Sequence, residues 1–123
     1  MKIFFILIIV KIIFSVPLAM AHSFLSVVED IPLMTGLVED QDRAVVFETR
    51  DGRIAEAFAV GDVDKKEVIR FYKSSLPQLG WTSNSSTKFW REDEILELIF
   101  LIADNKPRKV IVYFKVSPKK SNH

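Results

Sequence analysis

Apolar and polar positions alternate in blocks along this chain, and the period of the alternation changes from block to block. Ala44 to Thr49 and Ile54 to Val60 are rich in residues that suit a strand, and Arg50-Asp51-Gly52-Arg53 lies between them. An Asp-Gly pair between two such runs is a strong hairpin signal, because its central positions need φ > 0 and glycine supplies that without strain. Gly61 and Asp62 close the second run. The period then lengthens. Val68, Ile69, Phe71, Tyr72, Leu76 and Leu79 fall within one arc of about 160° on a helical wheel, with Lys66, Arg70, Lys73 and Ser74 opposite, which predicts one amphipathic helix. Asp64-Lys65-Lys66-Glu67 predicts a capping box at its start, with Asp64 accepting from the Glu67 amide and Glu67 reaching back. Pro77 has no amide for the Lys73 carbonyl and crowds it, so the regular helix is expected to end near Ser75, with Gly80 as its left-handed exit.

Beyond the helix the period returns to two. Trp81-Thr82, Thr87 to Arg91, Ile95 to Ile102 and Lys109 to Val116 read as strands, separated by Ser83 to Ser86, by Glu92-Asp93-Glu94 and by Asp104 to Pro107. The Trp81 and Thr87 runs are open to being read as one continuous strand. Connections this short favour antiparallel hairpins, since a parallel return needs a dozen or more residues. The expected fold is therefore α+β: an antiparallel sheet in β-β-α-β-β-β order with one amphipathic helix packed on one face. The α+β domain covers residues 44–116. An extended lead-in at 22–43, packing through Leu33, Met34 and Leu37, precedes it, and a flexible tail at 117–123 follows.

Strand parity also exposes a surplus. Leu96, Leu98, Phe100 and Ile102 share a face with the parity of Val110, Val112, Phe114 and Val116, and this face is assigned to the helix. The opposite parity carries Ile95, Ile99, Leu101, Ile111 and Tyr113, diluted by Glu97 and Lys115. That is more apolar than a solvated face needs. One expectation is that the lead-in Phe24 to Val38 folds across it. The other is an open partner surface on Ile99, Leu101, Ile111 and Tyr113.

Composition changes the picture at one end. Of the first 21 residues only Lys2, Lys11, Ser15 and Pro17 are not hydrophobic, and Ala19-Met20-Ala21 places small residues where a signal peptidase reads. This is the anatomy of a secretory signal peptide at 1–21, cut before His22. The alternative is an uncleaved inner-membrane anchor. Loss of the segment removes two of 17 basic residues and none of the 16 acidic, turning a formal +1 into −1. A weakly acidic exported chain argues against a nucleic-acid partner, even though Lys106 to Lys120 holds six basic residues. A membrane contact is expected only through the N-terminal segment, if that segment is retained.

Candidate chemistry is sparse. With no cysteine and histidine only at positions 22 and 123, no Ser/His/Asp or Cys/His constellation can form inside the fold, and disulfides are excluded. A copper site at an N-terminal His22 would need a second imidazole held opposite. Glu48, Asp51, Glu56, Asp93 and Glu97 leave carboxylate catalysis formally open, but no spacing joins two of them. Asp40-Gln41-Asp42 lacks the rest of a calcium loop, and Asn84-Ser85-Ser86 matches a glycosylation acceptor. No cofactor is expected. A non-enzymatic module binding a protein or another envelope component fits these exclusions.

Three short patterns carry a resemblance: Asp30-Ile31-Pro32-Leu33-Met34 with Gly36-Leu37, Gly52-Arg53-Ile54 with Glu56-Ala57, and Phe71-Tyr72 with Leu76-Pro77-Gln78-Leu79-Gly80-Trp81. Over Asp30 to Val116 the chain resembles a family of small exported bacterial proteins of unassigned function. The resemblance implies a periplasmic or secreted bacterial protein, and it transfers no catalytic or binding residue.

Overall fold

The computed structural model describes residues 23–102 and 109–119. The expected signal peptide, the expected turn at 104–107, both histidines and the end of the tail lie outside the described residues. Among the described residues, seven strands and one α-helix form an α+β fold: β1 (Val38–Glu39), β2 (Val45–Thr49), β3 (Gly52–Gly61), α1 (Lys65–Ser75), β4 (Thr82–Ser83), β5 (Lys88–Arg91), β6 (Glu94–Ile102) and β7 (Val110–Pro118). The sheet order is β1-β3-β7-β6-β5-β4, with β2 also on β3, and all pairings are antiparallel. β1 and β2 therefore share one edge of β3, β1 against residues 59–60 and β2 against residues 52–56.

Local signals account for most of these elements. The regular helix ends at Ser75, a single 3₁₀ turn carries Leu76–Leu79, and Gly80 leaves it with φ 93°. The first hairpin differs from expectation in its register. Thr49 pairs with Gly52, so Arg50 and Asp51 occupy the turn, and the positive φ falls on Gly52 at the start of β3. The Thr49 hydroxyl locks this turn by donating to the Gly52 carbonyl at 2.6 Å. The capping box does not close either. Asp64 Oδ1 accepts from the Lys66 amide at 3.3 Å, while the Glu67 amide donates to the Asp64 backbone carbonyl. Nor is the strand after Trp81 continuous with the next. Thr82 pairs with Trp90 and Ser83 with Phe89, because the polar run Ser83 to Ser86 turns the chain back on itself.

The core lies between the sheet and a second layer made of α1 and the lead-in. Val68, Tyr72 and Leu76 from the helical segment meet Ala55, Ala57, Ala59, Leu96, Leu98, Val112, Phe114 and Val116 from the sheet. The lead-in adds Leu25, Val28, Ile31 and Leu37 to the same core, with Leu33 and Met34 packed against it. It does not run straight: Phe24 bridges Pro32, and the Leu25 amide donates to the Ile31 carbonyl at 3.0 Å. Small side chains on β3 let this layer come close. At Gly61 an added Cβ would stand 2.1 Å from the Gly36 carbonyl oxygen.

Candidate functional site

The lead-in does not cover the surplus apolar face, contrary to the first of the two expectations. It lies on the helix side, where the Tyr72 hydroxyl donates to the Pro32 carbonyl at 2.7 Å and accepts from the Met34 amide at 3.2 Å. The reason is area: one short helix leaves part of the alanine-lined side of the sheet bare, and Leu25, Val28 and Ile31 fill it.

The opposite face is built row by row from strand register. Residues directly paired across neighbouring strands project to the same side. Val60, Ile111 and Leu101 form one row, and Phe58, Tyr113 and Ile99 form the next. A third row reads Glu56, Lys115, Glu97, Lys88, in strictly alternating charge. A fourth brings Ser117, Ile95 and Trp90 together, and Phe47 beside Ile54 continues the apolar surface onto β2. All four residues singled out from parity therefore sit together on two adjoining rows. Ile99, Ile111 and Tyr113 are half-buried, and Leu101 is 40% exposed.

Parity alone missed two members of this surface, Phe58 and Arg43. Phe58 stacks on Tyr113 with ring centroids 4.6 Å apart and planes 9° from parallel. The Arg43 guanidinium lies 4.0 Å from the Phe58 ring centre, so a cation caps the two-ring stack. Glu56 accepts a hydrogen bond from the Tyr113 hydroxyl at 2.7 Å. Partial burial, reinforced by that bond and by the Glu56 and Glu97 charges, pushes the Tyr113 phenol up to about 12. The hydroxyl is thus a fixed donor at neutral pH, already committed to Glu56.

No family model matches this chain, and no curated protein or solved structure matches it. The surface is read from its own geometry. It offers apolar area, an aromatic stack and a regular charge row, which suit docking. Among the described residues no group of three acidic or imidazole side chains is placed to hold a metal. Glu56 and Glu97 face the same way, but the Lys115 strand separates them, which puts them about 10 Å apart at ordinary strand spacing. Glu48, Asp51 and Asp93 are exposed on the edge strand β2 and in two turns, and the fold brings them to no common cleft. A shallow hollow lined by Glu39, Asp40, Asp62 and Lys109 lies at the β1 edge.

Proposed function

We propose that this protein is a non-enzymatic binding module of the bacterial cell envelope, and that it engages its partner through the open sheet face carrying Ile99, Leu101, Ile111 and Tyr113. One observation carries the reading. The second layer, helix and lead-in together, is spent on one side of the sheet, and the other side keeps apolar rows in contact with solvent. A solvated face of an antiparallel sheet ordinarily alternates to polar side chains, and a contiguous exposed apolar patch marks an interaction site. The apolar run from Met1 to Ala21, with small residues ahead of His22, and the resemblance to small exported proteins support a periplasmic or secreted location. In the alternative, an uncleaved N-terminal segment holds the same domain at the inner membrane. Mass spectrometry separates the two: a first residue of His22 supports export, and retention of Met1 supports the anchor. A carboxylate-only enzyme is the weaker reading, because Lys115 stands between the two carboxylates that share a face.

The binding reading is tested by a hydrophobic dye whose fluorescence rises on apolar surface, added to protein at submicromolar concentration. The expected result is strong enhancement that Leu101→Lys suppresses, with the melting temperature unchanged. Leu101 is 40% exposed, and exposed substitutions ordinarily change stability by only about 0.5 kcal/mol. A protein that binds no dye at any concentration contradicts the proposal.

A further inference from the structure

We infer that the occupant of the open face is a second copy of this chain, docked face to face about a two-fold axis that runs parallel to the strands between β6 and β7. The inference rests on the reading of that face as a binding surface and names its partner. The charge row carries it. Across the sheet the order is Glu56 on β3, Lys115 on β7, Glu97 on β6 and Lys88 on β5. Two sheets packed face to face by a two-fold operation must have the axis lying in the interface, and only two directions within the sheet are simple. An axis across the strands keeps the order of the row, so a centred row meets itself with Glu56 on Glu56 and Lys115 on Lys115. Shifted off centre, it presses charges onto an apolar row. An axis along the strands reverses the order. Glu56 then faces Lys88 of the second copy, Lys115 faces Glu97, and every charge in the row meets its opposite.

The same operation matches the apolar rows. It sets Tyr113 against Ile99 of the second copy and Ile111 against Leu101. The charged row is pinned by its complement and the rows beside it bury one another, which is the self-complementarity that a symmetric interface requires. The product is two aligned sheets about 10 Å apart, a common way for antiparallel sheets to cover apolar faces. Its size is modest. Three strands about 27 Å long and the shorter β5, each about 5 Å from the next, give roughly 500 Å² per copy and about 1,000 Å² in total, at the low end of specific interfaces. A face of that size suits a weak, reversible dimer. The exposed edge strand β2, with Phe47 50% exposed, lies beside this face and gives a different mode of association, edge to edge, which the test must separate.

The test is analytical ultracentrifugation of protein expressed from the full chain and purified as the cell leaves it, from about 1 μM to about 500 μM. The expected result is a monomer at the low end that doubles in mass toward the high end. Lys115→Glu alone sets two carboxylates against each other at the Glu97 contact, and Glu97→Lys alone sets two ammonium groups against each other at the Lys115 contact. Each is expected to weaken the dimer at least about tenfold. Mixed in equal amounts, the two variants restore both opposite pairs and are expected to form a heterodimer of wild-type affinity. Leu101→Lys, at an exposed position that tolerates substitution, is expected to be monomeric, so the inference is tested even if a charge reversal impairs folding. A wild-type chain that is monomeric throughout overturns the inference. If it still binds dye, the face is open to a different partner; if it does not, the binding reading falls as well. A dimer that survives both single reversals forms through another surface, the β2 edge first among them, and also overturns it.

Discussion

Tyr72 on the helix and Pro32 in the lead-in are joined by a buried hydrogen bond of 2.7 Å, from a phenol with no solvent exposure to a backbone carbonyl 40 residues earlier. The same hydroxyl accepts the Met34 amide, so one side chain fixes two successive stretches of the lead-in to the helix layer. The contact pins the lead-in on the side of the sheet where burial of Leu25, Val28 and Ile31 already places it.

Tyr72→Phe should therefore cost about 1 to 3 kcal/mol, because it leaves a buried carbonyl and an amide without their partner. Chemical denaturation measures the cost. Amide exchange at Met34 should accelerate more than exchange in β6 or β7, since the lead-in is released before the sheet.

Trp81 is 2% exposed and seals the end of the core beyond Gly80. The Arg91 guanidinium lies over its ring, 4.3 Å from the centre, and is held there by an ion pair with Asp30 and a bond to the Leu79 carbonyl. Trp81→Ala should cost about 3 to 5 kcal/mol by opening a cavity. Trp81→Phe should cost much less, because the indole Nε1 makes no hydrogen bond to any described residue and its removal strands no partner. Thermal unfolding of the two variants gives the comparison.

Gly61→Ala should destabilise by at least about 1 to 3 kcal/mol, the cost of overpacking a tight core. The added methyl would stand 2.1 Å from the backbone oxygen of Gly36, which cannot rotate away. Calorimetry should show a lowered midpoint, and a variant as stable as the parent would mean that β3 and the lead-in can separate without cost.

Alkaline pH should unfold the protein. Burial raises the Tyr72 phenol well above its ordinary value of 10, and burial with Glu56 raises Tyr113 to about 12. A raised folded-state pKa contributes stability that is complete below pH 10 and is lost as pH rises through the folded value. The expected result is a melting temperature that falls between about pH 10 and pH 12, in step with phenolate absorbance. Tyr113→Phe should flatten part of that slope.

Much of this architecture was legible from local pattern. Helix α1 and its stop follow from a 3.6-residue period ended by Pro77 and Gly80, and the two faces of β6 and β7 follow from strict alternation. What escaped was whatever depends on register between distant strands. In the row Glu56-Lys115-Glu97-Lys88 the last three residues lie on successive hairpin strands, but Glu56 joins them only through the β3–β7 pairing, which no local signal aligns. Phe58 was accessible through its alternation with Ala57 and Ala59, but its stacking on Tyr113 needed the β3–β7 pairing. The side taken by the lead-in was not legible either, because Leu25, Val28 and Ile31 recur every three residues in an irregular segment.

On the proposal above, the face bearing Leu101 and Tyr113, opposite the helix, is where this protein makes contact in the cell. A photo-crosslinking amino acid placed at position 101, and separately at position 70 on the outer side of α1, tests it most directly. A discrete covalent adduct is expected from position 101, at twice the chain's own mass, and none from position 70. Adducts from position 70 alone, or from neither position, would contradict it.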